Sequence, residues 1–554
     1  MNNRFLAERG FGLRFVRGDV AGGITAAVVA LPLALAFGVA SGAGPLAGLY
    51  GAILVGFFAS LFGGTPAQVS GPTGPMTVVM AAVVIQYAHH PALAFTVVML
   101  GGLMQIGFGL LKLGRYVTYI PFPVVAGFMT GIGSIIVILE IAPLLGHPVS
   151  SEGVFTALAQ LPGVLLHGDP ATLALGAIGL GCMILLPAPL RRWMPPPLFA
   201  LVVVTLLAPH LAPHSPVIGP IPHGLPHFLP PQFEVAEIPH MLRSAFSLAV
   251  LGSIDSLLTS LVADNVTRTH HHSDRELVGQ GIGNVASGLF GANPGAGATM
   301  RTLVNVRAGG RSPVGGMVHA LVLLAAVLGL SPLVSGIPLA ALAAILIHVA
   351  WQIVDLRYIR TLYRADRAEL AVMLTVALLT VTVDLISAVG VGVVMASLIS
   401  ARELSAHQLA QLNIVSSETD AAPFTDEERQ LLRRARSRVM VVHLSGPFSF
   451  CSAQDMVRRM AAVGAGWRAA VLDLTDVTLV DASVAMAIRE VVAALTDNGT
   501  PVFLVGHDRE VARDLERMEA LGRMPAERRV ESRAEGIRRA VELALDGEET
   551  TPVA

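Results

Sequence analysis

The sequence predicts an all-α polytopic membrane domain of 14 transmembrane segments, built as a 7+7 inverted repeat, followed by a small α/β cytoplasmic domain. Three observations lead to it. Apolar runs recur through the first 400 residues, most of them near the roughly 20 residues a spanning helix needs. Charge is unevenly divided: residues 1–400 hold 18 Arg and Lys against 15 Asp and Glu, and the last 154 hold 19 and 24. Two Gly/Pro-rich breaks also match in position. Leu61-Phe62-Gly63-Gly64-Thr65-Pro66 precedes AQVSGPTGPMTVV, and Leu289-Phe290-Gly291-Ala292-Asn293-Pro294 precedes GAGATMRTLV.

In chain order the apolar runs predict helices over 19–41, 45–63, 73–88, 92–112, 121–143, 170–190, 197–211, 243–265, 277–291, 298–308, 313–333, 337–354, 368–384 and 386–401. The third and tenth are too short to span, and each follows a break. Seven helices precede the long Pro/His-rich segment 208–240 and seven follow it. An odd number of spans per half inverts the second half, so the two breaks enter the membrane from opposite sides.

Arg and Lys should collect in cytoplasmic loops. With the N-terminus inside, Arg4 to Arg17, Lys112, Arg115, Arg191, Arg192, Arg268, Arg275, Arg307, Arg311, Arg357 to Arg367 and Arg402 share one side, while the outer loops hold essentially only Arg243, at a helix edge. Both termini are therefore expected in the cytoplasm of a protein that crosses the inner (plasma) membrane and has the lipid bilayer as a partner. The first nineteen residues lack the short apolar core and cleavage site of a signal peptide. A formal net charge of −2 gives no reason to expect a nucleic-acid partner, and two cysteines, Cys182 and Cys451, make no disulfide framework.

The breaks carry the chemistry. Unsatisfied N–H groups at a helix N-terminus offer donors and about half a positive charge, so two half-helices whose N-termini meet would cradle an anion. Gly71, Pro72, Thr73 and Gly74 on one side, with Gly297, Ala298 and Thr299 on the other, keep side chains small enough for a ligand to approach. Glycine and proline also kink helices and help them pack, but the matched pair favours a site. Asp255 stands mid-way along an apolar run, where an acid is expensive and by default functional. Thr259, four residues on, shares its helix face, and together they offer hard oxygen ligands to a small cation; the carboxylate could equally carry a proton. Arg301 has three readings: it neutralises Asp255, gives the substrate a fixed positive charge, or reaches for the cytoplasm. Glu140, late in the fifth helix, is expected near the outer surface. His270 to His272 read as a solvated loop rather than a metal site.

Residues 1–402 are thus expected to form the transport domain and 403–437 a polar linker. Residues 438–546 alternate strand-like and helical runs, and 547–554 read as a disordered tail. The alternation implies a small α/β domain, in which nothing resembles a catalytic triad, so no enzyme is expected.

RGDVAGGITAAVVALPLALAFGVASGAGPLAGLYGAILVGFF, GGTPAQVSGPTGPMTVVM, LGSIDSLLTSLVAD, ELVGQGIGNVASGLFG, GAGATM and VLDLTDVTLVDASVAMAIREVV together resemble the SulP/SLC26 anion transporters, most of all their sodium-dependent bicarbonate branch; the last stretch is similar to the family's cytoplasmic STAS domain. The resemblance implies a UraA/SLC26-like core and gate, an elevator-like motion and a homodimer to which the STAS domain contributes. It implies a small inorganic anion, bicarbonate or sulfate, as substrate, with Na⁺ or H⁺ as coupling ion and no cofactor. By motif, Asp255, Thr259, Gly297 and Thr299 match the cation positions. Thr73, Ala298 and the adjoining half-helix amides match the anion pocket, with Leu33 and Phe37 lining it. Arg301 departs from the sodium-dependent branch, which has a small residue there, and is more typical of sulfate, dicarboxylate or exchange types. Ser483 is the candidate regulatory serine, although the text is Asp481-Ala482-Ser483 where STAS domains have Asp-Ser-Ser.

Overall fold

The structure is a computed structural model that describes residues 15–148, 153–219, 226–354, 356–383, 385–410, 412–415, 424–435, 438–462, 466–506, 509–522 and 524–546. The expected tail 547–554 lies outside the described residues. The chain divides into two compact units, residues 1–396 and 397–554.

The first unit is helical: α1 (Val16–Ala40), α2 (Pro45–Phe62), α3 (Gly74–Gln86), α4 (Pro91–Leu110), α5 (Phe122–Leu144), α6 (Val154–His167), α7 (Pro170–Leu185), α8 (Ala188–Trp193), α9 (Pro196–Leu211), α10 (Ile238–Thr267), α11 (Ser273–Leu289), α12 (Thr299–Arg307), α13 (Pro313–Val334), α14 (Leu339–Ile353), α15 (Leu356–Ala365) and α16 (Arg367–Thr382), with α17 (Leu385–Ala410) leading out of it. Each of the fourteen expected segments is helical, and α6, α8 and α15 are additional. Pro162 and Gly163 interrupt the pattern of α6, and the arginines of α15 break its apolar run. Prolines in the first turn start α2, α4 and α7, where a missing N–H costs nothing. Asp169 caps α7 through the amides of Ala171 and Thr172, and Ser312 caps α13. Among the described residues seven helices are long and apolar enough to cross a membrane, and an eighth span arises if α6 and α7, bent by 110° at their junction, count as one.

The helices pack in two groups. In the first, α11 lies against α4 and α2, α13 against α1 and α2, and α10 against α4; in the second, α5 lies against α16 and α14, and α7 against α9 and α14. Close crossing in the first group depends on glycine: a Cβ at Gly102 would lie 2.5 Å from the Val285 nitrogen, and one at Gly281 2.5 Å from the Gly102 carbonyl oxygen. At the two breaks the chain forms β1 (Ser70–Gly71) and β2 (Ala296–Gly297), paired antiparallel with Ser70 opposite Gly297 and Gly71 opposite Ala296.

The second unit holds a five-stranded sheet in the order β3-β4-β5-β6-β7: β3 (Leu412–Val415), β4 (Val439–Phe448), β5 (Ala469–Val480), β6 (Val502–Val505) and β7 (Arg529–Val530). Only the β3–β4 pair is antiparallel. One face carries α19 (Phe450–Ala462), α20 (Ala482–Asp497) and α21 (Arg509–Arg517), and the other carries α18 (Asp426–Arg434) and α22 (Arg533–Asp546). Segment 403–437 is more structured than an extended linker. It completes α17, adds β3 to the sheet edge and contains α18, which a capping box between Thr425 and Glu428 starts.

Beneath this sheet Asp473 accepts from His443 Nδ1 at 2.7 Å and from Thr475 Oγ1 at 2.5 Å, while Arg533 reaches it at 3.4 Å and Glu428 at 3.0 Å. Burial alone would raise the Asp473 carboxyl, but the hydrogen bonds from His443 and Thr475 outweigh it and hold the group below the usual carboxylate range. Its stabilisation is therefore complete above about pH 4, the unfolded value, and is lost as pH falls through the lower folded value. Asp473→Asn is expected to destabilise this unit by about 3 kcal/mol at pH 7, because His443 and Arg533 lose their buried partner. It should also reduce the loss of stability below about pH 4. Urea titration at pH 7 and pH 3, read by proteolytic susceptibility of the C-terminal unit, measures both effects.

Candidate functional site

The antiparallel pairing of β1 and β2 brings the starts of α3 and α12 together on either side of a two-residue ladder. Thr73 is the N-cap of α3 and Ala298 that of α12. From the neighbouring α10, Asp255 accepts from Thr73 Oγ1 at 2.7 Å, and its second oxygen has no hydrogen-bond partner among the described residues. One turn on, Thr259 Oγ1 donates to the Gly297 carbonyl at 3.0 Å and lies 2.8 Å from Thr299 Oγ1. Asp255 thus binds the first break and Thr259 the second. The oxygens of Thr259, Gly297 and Thr299 meet at the start of α12, and the Asp255 carboxylate lies one turn of α10 away at the start of α3.

The amides divide into two classes. Those of Gly297 and Ala298, expected to face the ligand, are already used: Gly297 N donates to Ser256 Oγ at 3.0 Å and Ala298 N to the Val69 carbonyl at 2.9 Å. The donors left are those of the first helical turns, Gly74 and Met76 in α3 and Thr299, Met300 and Arg301 in α12, which have no acceptor within their own helices. Thr73, Asp255 and Ala298 are 8 %, 6 % and 8 % exposed, so the ligand-facing surface is narrow.

Arg301 departs from two of its three readings. It is 2 % exposed, so it does not reach for the cytoplasm, and it makes no ion pair with Asp255, although the two are near enough for their charges to interact. Its Nη2 donates to the Pro72 carbonyl, and its Nη1 has no partner among the described residues. The guanidinium lies against Gly71, where an added Cβ would fall 2.5 Å from Nη1 and 3.1 Å from the Ala52 Cα. Arg301 therefore braces the first break from behind. Leu33 and Phe37, one turn apart on α1, are both buried; Phe37 lines a small cavity with Thr77 of α3, and Asn293 donates to its carbonyl. Glu140 is also buried, at 3 % exposure, in that same cavity rather than at a surface.

The polar frame behind the site was not anticipated. Glu276 Oε2 accepts from the amides of Gly64 and Thr65 at 2.8 and 2.9 Å, and its Oε1 from Gln68 Nε2 and Gln280 Nε2, both at 2.8 Å. Ser260 donates to Gln68 at 2.9 Å, and Asn284 makes a reciprocal pair with the Gly295 backbone. The signal was present: Glu276, Gln280 and Asn284 recur every four residues on one face of α11. Among the histidines of the loop, His271 Nδ1 sits 2.7 Å from Asp264. In the second unit Ser483 is exposed on the rim of a cleft of about 1010 Å³ between α19 and α20.

Comparison with known proteins adds to this geometry. Residues 16–376 match the Sulfate permease family and residues 430–533 the STAS domain. The chain belongs to the sulfate permease (SulP/SLC26) family. As a member it is a multi-pass membrane anion transporter with a STAS domain, and its relatives are transporters rather than enzymes. It is 43 % identical over 539 residues to the "Bicarbonate transporter BicA" of Picosynechococcus sp., covering 95 % of each chain, and 31 % identical over 408 residues to the "Putative sulfate transporter YvdB" of Bacillus subtilis, covering 72 % of this chain and 76 % of that one. Its fold matches the solved transmembrane domain of a cyanobacterial BicA with a TM-score of 0.64 at 47 % identity, over 68 % of this chain and 98 % of the other.

Gly71→Ala is expected to push Arg301 off the Pro72 carbonyl and to cost about 1–3 kcal/mol of stability. Transport should fall with it, and thermal unfolding of the purified protein beside an uptake assay in vesicles measures both.

Proposed function

We propose that this transporter takes up bicarbonate together with Na⁺. The observation that carries the reading is the Asp255 carboxylate, held by Thr73 at the start of α3, one turn of α10 from Thr259, which meets Gly297 and Thr299 at the start of α12. Hard oxygen ligands suit a small cation, and free helix-start amides suit an anion, so each ion lowers the cost of holding the other. The 43 % identity to proteins named as bicarbonate transporters supports the choice of anion. The cation is held by Asp255, Thr259, Gly297 and Thr299. The anion rests between the starts of α3 and α12, with Thr73, Ala298, Leu33 and Phe37 around it.

The antiparallel pairing of the breaks supports a 7+7 inverted repeat of fourteen spans. The separate packing of two helix groups supports an elevator-like motion, in which the group carrying the breaks moves against the other. The protein acts as a homodimer in the plasma membrane with both termini cytoplasmic. The STAS domain contributes to the dimer, and Ser483 is its candidate regulatory position.

A second reading, H⁺-coupled uptake of sulfate or a dicarboxylate, is favoured by Arg301. A buried guanidinium with an unpartnered Nη1 near Asp255 opposes a bound Na⁺ and assists a divalent anion. Exchange or channel-like conduction would need no cation gradient at all.

Purified protein in proteoliposomes, given labelled bicarbonate or labelled sulfate with inward Na⁺, inward H⁺ or neither, separates these readings. Bicarbonate uptake that rises at least about tenfold with inward Na⁺ is expected, equivalent to about 1.4 kcal/mol of coupling; sulfate uptake indifferent to Na⁺ would overturn the first reading. Asp255→Ala should abolish coupled uptake while the protein stays folded by size-exclusion chromatography, and wild-type transport in that variant would remove Asp255 from the mechanism.

A further inference from the structure

Another buried acid lies where the two helix groups meet. Glu140, on α5, is 3 % exposed, and among the described residues its carboxylate has neither a hydrogen bond nor an ion pair. It opens into a cavity of about 10 Å³, roughly the space one water needs, which Phe37, Thr77 and Leu346 help to line. Phe37 belongs to α1 and Thr77 to α3, both in the group that carries the breaks in the proposed motion, whereas Leu346 of α14 and Glu140 itself belong to the other. Thr77 Oγ1 donates to the Thr73 carbonyl at 2.7 Å, so the residue that shares the cavity with Glu140 lies one helical turn from the residue that holds Asp255. An adjoining cleft of about 410 Å³ shares Ala40, Val78, Ala81 and Leu139 with the small cavity and provides an approach to it.

No charged group faces Glu140 from the elements packed against it. On those elements, Asp19 lies near the far end of α1, where it caps α13. Tyr87 follows the end of α3, and Cys182 belongs to α7. His348 of α14 is hydrogen-bonded to Gln352, and Arg367 and Glu369 open α16; His167 ends α6. The cleft beyond is bordered by His240 and Arg243 of α10.

An ionised carboxylate enclosed by apolar side chains without a partner is strongly unfavourable, and a bound proton removes that charge. A metal cation fits poorly, because the cavity offers one carboxylate and one hydroxyl and room for about a single water. We propose that Glu140 is a proton-binding residue whose protonation permits the two helix groups to close on one another. The proton enters from the cleft, joins one carboxylate oxygen and leaves by the same oxygen when the interface parts. The inference rests on the reading of this chain as a transporter whose helix groups move, and is independent of which anion it carries.

The test uses the full chain in proteoliposomes, with labelled bicarbonate at fixed concentration and labelled sulfate, across external pH 6 to 8.5. Wild-type uptake of the carried anion should rise by up to about tenfold per unit as pH falls through the titration of Glu140. Glu140→Gln, which copies the neutral form, should hold the high rate throughout and vary less than about twofold, whereas Glu140→Asp should keep a pH-dependent profile. A Glu140→Gln profile with the wild-type slope overturns the proposal, as do two variants that are equally slowed but shaped like wild type, the mark of a purely structural role. A readout independent of transport is the protonated-carboxyl band in infrared difference spectra of the purified protein between pH 8.5 and 6. One component should vanish in Glu140→Gln, and an unchanged band refutes proton binding at Glu140. Wild-type protein that moves neither anion would instead overturn the transport reading, with the infrared result still deciding the fate of Glu140.

Discussion

In an apolar medium a chain that leaves its helix must find a partner for every freed backbone group, because no solvent stands in. This protein does so twice in neighbouring places and lets the two interruptions satisfy each other. The β1–β2 ladder is only two residues long on each side. What holds it is the ring of side chains around it, with Glu276 as the centre. Its two carboxylate oxygens accept four hydrogen bonds, two from the backbone of the first break and one each from Gln68 and Gln280. A charge so fully engaged can be buried, and the irregular segments become as fixed as the helices they interrupt.

That frame determines what remains for a ligand. The strand-like residues spend their amides on Ser256 and Val69, so the donors left at the breaks among the described residues are those in the first turns of α3 and α12. Asp255 and Thr259 reach in from α10 and touch one break each. The neighbouring Arg301 is occupied by the Pro72 carbonyl, and so contributes a nearby positive field rather than a direct contact. The site is accordingly a balance of fixed dipoles and one open carboxylate oxygen.

Much of this was legible in the sequence. The apolar runs gave the helices, and the twin Gly/Pro breaks gave the paired β1 and β2, because both signals are local. Asp255 meets Thr73, and Thr259 meets Gly297 and Thr299, one turn apart on α10. The surprises were relational. Nothing local to Arg301 says that its guanidinium lies behind Gly71, and nothing local to Glu140 says that α1, α3 and α14 close over it, since both depend on packing between distant segments. α6 was hidden by Pro162 and Gly163. Strand β3 and helix α18 were hidden by polar composition, which reads as linker until a sheet edge is available to receive it.

Glu276 accepts from the Gly64 and Thr65 amides and from the Gln68 side chain of the first break. It thereby ties the first break to α11, and Asn284 ties the second to the same helix, so one wall cannot slide past the other. Any displacement of α11 carries both walls with it, and the pocket between them keeps its shape.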